Sequence, residues 1–123
     1  MIDTPSIRKP RENTWLWLYK IIAGLLIVVI MGVHLVVNHL AAPGGLLTYA
    51  EVVTYFQNPW IVAMEITFLV FVVSHALVGM RSILLDLNPS EKVLKAVDIF
   101  LWVFGAGSII YGIWLALAIA AQG

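Results

Sequence analysis

The sequence predicts an all-α membrane protein with three transmembrane helices. Of its 123 residues, 62% are hydrophobic and 11% are charged, and the mean hydropathy is +0.98. The apolar residues fall into three long runs with few charges. Such runs are typical of helices that cross a bilayer rather than of a soluble core. The length suits one small unit, so we expect residues 1–123 to form a single transmembrane domain.

The three predicted spans cover about residues 15–40, 59–85 and 96–121. Each holds about 25 residues, which gives a helix of about 37 Å at 1.5 Å per residue, so each can cross a bilayer with some tilt. Between the first two spans, apolar residues of the segment at about 44–57 recur at roughly helical spacing. This segment predicts a short helix that lies on the membrane interface.

Capping signals mark the starts of the second and third spans. Asn58-Pro59 and Asn88-Pro89 each place an asparagine before a proline at the first helical position. Glu91 follows Asn88 by three residues, which resembles a capping box.

The basic residues predict how the chain crosses the membrane. All of them lie before or at the start of the first span, or beside the turn between the second and third spans: Arg8, Lys9, Arg11, Lys20, Arg81, Lys92 and Lys95. By the positive-inside rule this side faces the cytoplasm. We therefore expect a multi-pass protein of a prokaryotic cytoplasmic membrane, with its N-terminus inside and its C-terminus outside.

Composition also excludes several kinds of chemistry. The chain has no cysteine, so it forms no disulfide, no thiolate iron–sulfur site and no covalent haem attachment. Its formal net charge is zero, and nothing in the sequence points to a nucleic-acid partner. The first apolar stretch is too long for a secretory signal, and no small-residue cleavage site follows it.

Histidines inside the spans are the strongest functional signal. His34 and His75 lie in apolar helices, where an ionisable or ligating residue is costly and by default marks a functional site. Lone inward histidines in a helical bundle are well suited to axial ligation of haem, which here must be b-type. A histidine that forms a hydrogen bond between helices is the alternative interpretation of each residue.

The two histidines are expected at different depths. His34 lies toward the outside and His75 toward the cytoplasm, about 10–15 Å apart along the membrane normal at 1.5 Å per residue. They are therefore not expected to share one iron. They fit two haems at two levels, and a partner subunit must supply the opposite ligands, because the third span has no histidine.

Other polar residues have two interpretations each. His39 points about 140° away from His34 on a helix, so it is a candidate contact for a haem propionate or quinone, or simply an interfacial residue. Arg81 and Asp86 either bind a propionate or quinone carbonyl, or lie at the interface for topology. Glu65 is a candidate proton-transfer group for an outer quinone site, or a carboxyl that stays neutral in lipid. Gly79, one turn after His75, leaves room for a flat macrocycle.

The residues around the histidines resemble a known family. The run from Met31 to Ala41, with His34 and His39, resembles the end of the first helix in cytochrome b anchors of succinate:quinone oxidoreductase (complex II). The string His75, Gly79, Arg81 and Asp86 resembles their second helix. The resemblance covers about residues 20–90, and the pair of histidines in the first helix resembles the two-haem branch of bacteria and archaea.

The resemblance implies site residues and partners. It implies that His75 ligates a proximal haem b and His34 a distal one, shared with a second membrane anchor subunit, and that Arg81 and Asp86 contact the soluble subunits. The chain would form half of a haem-binding helical bundle and bind iron–sulfur and flavoprotein subunits. Some anchors have a quinone-binding tyrosine directly after the aspartate, whereas this chain has Leu87, which weakens the expectation of a proximal quinone site. A D-type small anchor is favoured, and a C-type anchor stays open.

We therefore expect a non-catalytic anchor subunit of succinate dehydrogenase, with no dicarboxylate or flavin site, that helps to pass electrons from the iron–sulfur subunit to quinone. A one-haem anchor, with His75 alone as ligand, is one alternative. A haem-free scaffold or small transporter subunit is another.

Overall fold

A computed structural model describes residues 13–123, and the expected all-α membrane architecture is confirmed. Arg8, Lys9 and Arg11, which contribute to the predicted orientation, lie outside the described residues. The described elements are α1 (Thr14–Leu35), which continues as a π-helical turn (Val36–Leu40), α2 (Tyr49–Tyr55), α3 (Pro59–Asp86) and α4 (Glu91–Ala120). Three segments are long and apolar enough to span a membrane: Thr14–Leu40, Pro59–Asp86 and Glu91–Ala120.

Asparagine side chains cap the first two long helices, and the cap at Asn58 is the predicted one. The Asn13 side chain accepts a hydrogen bond from the Trp15 amide and begins α1. The Asn58 side chain accepts one from the Trp60 amide, and Pro59 occupies the first turn of α3. These side chains satisfy amide groups that have no partner within the helix. Proline fits there because its missing N–H would be unpaired anyway.

The start of α4 differs from the sequence prediction. The helix begins at Glu91, five residues before the expected position, and its cap is Ser90 rather than Asn88. Asn88 has a φ of 51°, a left-handed conformation that asparagine tolerates and that breaks the chain direction after α3. The expected capping box of Asn88 and Glu91 is therefore wrong. Glu91 instead lies in the first turn, where a negative charge suits the helix dipole.

The loop between α1 and α3 contains a shorter helix than the 44–57 segment expected from sequence. This end of the helices is called outer, and the opposite end inner, after the orientation predicted above. Gly44 and Gly45 both have positive φ values, 86° and 82°, which glycine adopts without steric cost and which delay the helix start. Thr48 then forms a capping box with Glu51. The Thr48 amide donates to Glu51 Oε2 at 2.7 Å. Hydrogen bonds from the backbone and side chain of Thr48 lower the pKa of the Glu51 carboxyl.

The long helices pack in a row, because α3 contacts both α1 and α4. Within the described chain only Ala23, Asn38, Leu101 and Gly105 are buried. Large apolar side chains remain exposed on all three helices, among them Trp102, which is 80% exposed. Such a surface is expected where lipid or another subunit covers the helices, since the bilayer is itself apolar.

Small residues allow α4 to approach α3 closely. A Cβ atom added at Gly105 would overlap the side chain of Leu77, and one added at Gly112 would overlap that of Leu69. By contrast, a Cβ at Gly107 would meet no atom within 4 Å. The α3–α4 contact therefore depends on glycine at two specific positions of the helix, as in other close helix pairs in membranes.

We predict that Gly105→Val destabilises the detergent-solubilised protein by about 1–3 kcal/mol, because the added atoms overpack the contact with Leu77. Gly107→Val is the matched control, since it adds the same side chain to the same helix in open space. The measurement is the apparent midpoint of thermal unfolding. Equal midpoints for the two variants would contradict this account of the packing.

Candidate functional site

The contact between α1 and α3, here called the α1–α3 seam, contains both histidines that the sequence singles out. Near its outer end, His34 Nδ1 lies 2.9 Å from Glu65 Oε1. Toward its inner end, the His75 ring lies against Gly24, where an added Cβ would come within 3.2 Å of His75 Cε1. The two levels are ten residues apart on each helix, which is about 15 Å at 1.5 Å per residue.

Four side chains form the outer polar cluster: His34, Asn38, Tyr55 and Glu65. Tyr55 donates a hydrogen bond to Glu65 Oε1 at 2.7 Å, the oxygen that also contacts His34. Asn38 Nδ2 lies 3.0 Å from His34 Nδ1 and 3.4 Å from Nε2. The Phe68 ring packs on the imidazole, with centroids 5.5 Å apart. Residues of α3 and the π-helical turn thus contact the imidazole directly, and α2 joins the cluster through Glu65.

The position of Asn38 depends on the π-helical turn that ends the first span. There the Ala41 amide donates to the Val36 carbonyl, five residues back, at 2.8 Å. Turns of this kind are rare and occur mainly at functional sites. Asn38 is buried in this turn, and its Oδ1 has no hydrogen-bond partner among the described residues. Because most buried polar atoms are paired, this oxygen needs an explanation.

The short helix α2 supplies Tyr55 to the cluster. At the other end of α2, Tyr49 donates to the Gln122 side chain. Gln57, which follows α2 on the Tyr55 side, donates to the Ala120 carbonyl at 3.2 Å. Burial and the hydrogen bond to Glu65 raise the pKa of Tyr55 to about 12. The phenol therefore stays protonated at neutral pH and remains a donor to Glu65.

His75 has a different environment from His34. Its Nδ1 is buried and has no hydrogen-bond partner among the described residues. Gly79, one turn later, has no atom within 4 Å of an added Cβ, so this part of α3 is open within the chain. The neighbouring Ser74 shares a hydrogen bond with Tyr19 of α1, which fixes the register of the two helices beside His75.

Arg81 lies between α3 and α4. Its Nε and one Nη donate to the two carboxylate oxygens of Asp98, at 2.6 and 3.1 Å. Such two-point geometry is the strong form of a charge-assisted hydrogen bond. On the other side of α3, Lys20 donates to Ser82 at 2.8 Å. The inner ends of all three long helices are therefore joined by polar side chains.

Two further predicted residues lie apart from these clusters. His39 is exposed, and its Nδ1 donates to the Gly45 carbonyl at 3.3 Å, so it does not join His34. Asp86 is exposed at the last position of α3.

Sequence reasoning missed three partners that the structure brings to the site: Asn38, Tyr55 and Asp98. Asn38 had a usable signal, because a residue four positions after His34 lies on the same helix face. Tyr55 and Asp98 act across elements, and their contacts depend on how the elements are rotated against each other.

The fold and these clusters define a class of protein, the three-span membrane subunit. Most of its apolar side chains are exposed, and its polar side chains meet at helix contacts on two levels. Comparisons with known proteins give the family. The sequence model of the succinate dehydrogenase/fumarate reductase transmembrane subunit family matches residues 4–118.

Two archaeal relatives agree with this match. The succinate dehydrogenase hydrophobic membrane anchor subunit of Thermoplasma acidophilum is 32% identical over 99 residues, which cover 80% of this chain and 80% of that protein. The corresponding subunit of Archaeoglobus fulgidus is 33% identical over 119 residues, which cover 97% of this chain and 100% of that protein. The chain belongs to the succinate dehydrogenase/fumarate reductase transmembrane subunit family. The resemblance found in the sequence is thereby confirmed at the level of the membrane anchor subunit.

Proposed function

We propose that this succinate dehydrogenase anchor ligates two b-type haems, one through His75 and one through His34, and helps electrons pass from an iron–sulfur subunit to quinone. One observation carries the proposal. The two histidines lie on the same α1–α3 seam but face different partners ten residues apart. At a separation of about 15 Å they serve two irons rather than one.

The surroundings of His75 fit an axial ligand. Its buried Nδ1 has no partner among the described residues, so this atom makes none of the hydrogen bonds between helices that are the alternative role of a histidine in a span. Gly24 gives the ring room on one side, and Gly79 leaves the adjacent turn of α3 uncovered. The other half of the inner site would come from a second anchor subunit, whose helices would cover this part of the seam.

The surroundings of His34 also fit. Its Nδ1 is engaged by Glu65, whereas Nε2 has only the contact with Asn38 at 3.4 Å. That distance is near the upper limit for a hydrogen bond, so the contact is weak and can be replaced by a stronger ligand. The unpartnered Asn38 Oδ1 supplies an acceptor at the same level.

A partner subunit that supplies the opposite axial ligands is part of the proposal. The third span has no histidine, and His39 lies apart from the seam, so no second imidazole of the described chain faces His34 or His75. When bound, haem supplies one-electron transfer at a potential set by its axial ligands and surroundings. The residues of this chain hold and orient the ligands, exclude water with apolar helices, and fix the two levels.

We assign the inner end of the helices to the cytoplasmic side, where iron–sulfur and flavoprotein subunits would bind. Lys92 and Lys95 lie beside the turn between α3 and α4, and Lys20 lies near the start of α1, at the same end of the bundle. Exposed Asp86 is available there to a soluble partner, and Arg81 is a candidate propionate contact beside Asp98. His39 is the corresponding candidate for a propionate or quinone at the outer end.

A one-haem anchor is the second candidate. The observation that favours it is the difference between the histidines, because His34 is already hydrogen-bonded to Glu65 whereas His75 Nδ1 has no partner. In this alternative His34 joins α1 to α3, and His75 alone ligates. A haem-free scaffold remains the third outcome of the same experiments.

In the purified complex, we predict that His34→Ala removes one of two spectroscopically distinct b haems and that His75→Ala removes the other, because each iron loses an axial ligand. Pyridine haemochrome assays and redox difference spectra measure this. His39→Ala is the comparison variant: His39 lies apart from the seam and at most contacts a propionate, so it ligates no iron and both haems are expected to stay. Retention of haem in His34→Ala would favour the one-haem anchor, and the absence of a Soret band in the native complex would favour the scaffold.

Gly79→Ala tests whether a flat group lies beside His75. Within this chain the added methyl meets nothing within 4 Å, so we predict little effect on the packing of the chain but loss of the inner haem, as the methyl would enter the space of the macrocycle. Gly107→Ala is the control, because it adds the same methyl to an equally open position of α4. Haem content per complex is measured, and equal content in both variants would contradict the prediction.

The absence of native cysteine allows a test of orientation. Leu46 lies in the outer loop and Leu87 ends α3, and both are largely exposed. In whole cells, we predict that a membrane-impermeant maleimide modifies Leu46→Cys, whereas Leu87→Cys reacts only after permeabilisation. The reverse pattern would place the N-terminus outside.

A further inference from the structure

We propose that Glu65 is the positioning residue of His34: its carboxylate accepts the Nδ1 hydrogen, fixes the tautomer that leaves Nε2 available to iron, and lowers the reduction potential of the outer haem. This inference rests on the proposed ligation by His34 and adds a residue that the ligand assignment alone does not require.

With Glu65 taken as a carboxylate, the contacts at its Oε1 assign the direction of donation. This single oxygen is approached by the Tyr55 hydroxyl at 2.7 Å and by His34 Nδ1 at 2.9 Å. An ionised carboxylate only accepts hydrogen bonds, and it readily accepts two at one oxygen. His34 Nδ1 is then the donor. A neutral imidazole has one donor and one acceptor, so the lone pair lies on Nε2.

The rest of the cluster holds the imidazole in place. Phe68 packs on the ring from α3 with an angle of 33° between the planes. The Asn38 amide approaches from the π-helical turn, with Nδ2 at 3.0 Å from Nδ1 and 3.4 Å from Nε2. With the hydrogen of Nδ1 donated to Glu65, only the contact with Nε2 can be a donation to a lone pair. The Glu65 side chain is itself only 14% exposed, so its interaction with the ring is weakly screened by water.

A carboxylate–histidine–metal arrangement changes the metal as well as the geometry. The carboxylate fixes the ring orientation and makes the imidazole a more basic ligand. A more basic ligand favours ferric over ferrous iron. His75 has no comparable partner, because its Nδ1 is unpaired among the described residues. The two proposed ligands therefore differ in the hydrogen bonding of Nδ1.

The test is a redox titration of the haems in the whole purified complex. Glu65→Gln keeps an acceptor of the same size but removes the charge. A change of this kind typically costs about tenfold in metal affinity. If that loss falls on the ferric form, the potential of the outer haem rises by about 59 mV for one electron. The electron paramagnetic resonance signal of that ferric haem shifts, while that of the inner haem does not.

Tyr55→Phe gives the second variant, with the opposite sign. The lost hydroxyl leaves the carboxylate with one donor fewer, so Glu65 accepts more strongly from His34, and the potential of the outer haem falls. Glu51→Gln is the matched control. It is the same substitution at the outer end, in a residue whose hydrogen-bond partner among the described residues is Thr48, and it leaves both potentials unchanged.

The outcomes separate the two proposals. If His34→Ala keeps both haems, the ligand assignment itself fails. If His34→Ala removes one haem but Glu65→Gln and Tyr55→Phe both leave its potential unchanged, ligation stands and the positioning role is overturned. If Glu65→Gln does not retain the outer haem, Tyr55→Phe decides: a lowered potential supports the role, and an unchanged one refutes it.

Discussion

The α1–α3 seam is the constraint on which the rest of the molecule depends. Within the hydrocarbon core of a bilayer, polar groups have no water and must find partners inside the protein. Here those partners lie on the facing helix: His34 with Glu65, and Tyr19 with Ser74. Each pair forms only when α1 and α3 have one relative height and rotation. The same contacts that satisfy polar atoms therefore also set the depth of both histidines.

The seam is polar on a chain that buries very little. A row of three helices has no enclosed interior, so most apolar side chains are left for lipid or another subunit to cover. Close packing is concentrated where α4 meets α3, at Gly105 and Gly112. Because lipid is as apolar as these side chains, association of the helices relies on packing and hydrogen bonds rather than on the hydrophobic effect. A subunit with so few buried side chains is expected to be covered by lipid and other subunits, which agrees with its membership of an anchor family.

Hydropathy was enough to predict the fold class, because crossing a bilayer is a requirement on composition and length. Topology then predicted that His34 and His75 lie at different depths. The hydrogen-bond partners of these polar side chains were not predictable in the same way. Each long helix is apolar on all sides, so its sequence does not mark the face that contacts a neighbour, and the pairing of Arg81 with Asp98 gave no signal. The start of α4 was misplaced because charges at Lys92 and Lys95 indicated a loop, although Ser90 caps a helix there.

The position of α2 has a consequence for the end of the chain. Tyr49 binds Gln122, and Tyr55 binds Glu65, so one helix of seven residues is fastened to α4 at one end and to α3 at the other. Both contacts start from the same short helix, so the position of Tyr55 depends on where α2 is held against α4. The final residues are thus tied, through a few hydrogen bonds, to the imidazole of His34. Gln122 therefore contributes to the outer site although its hydrogen bond is to Tyr49, which is not one of the four side chains of the outer polar cluster.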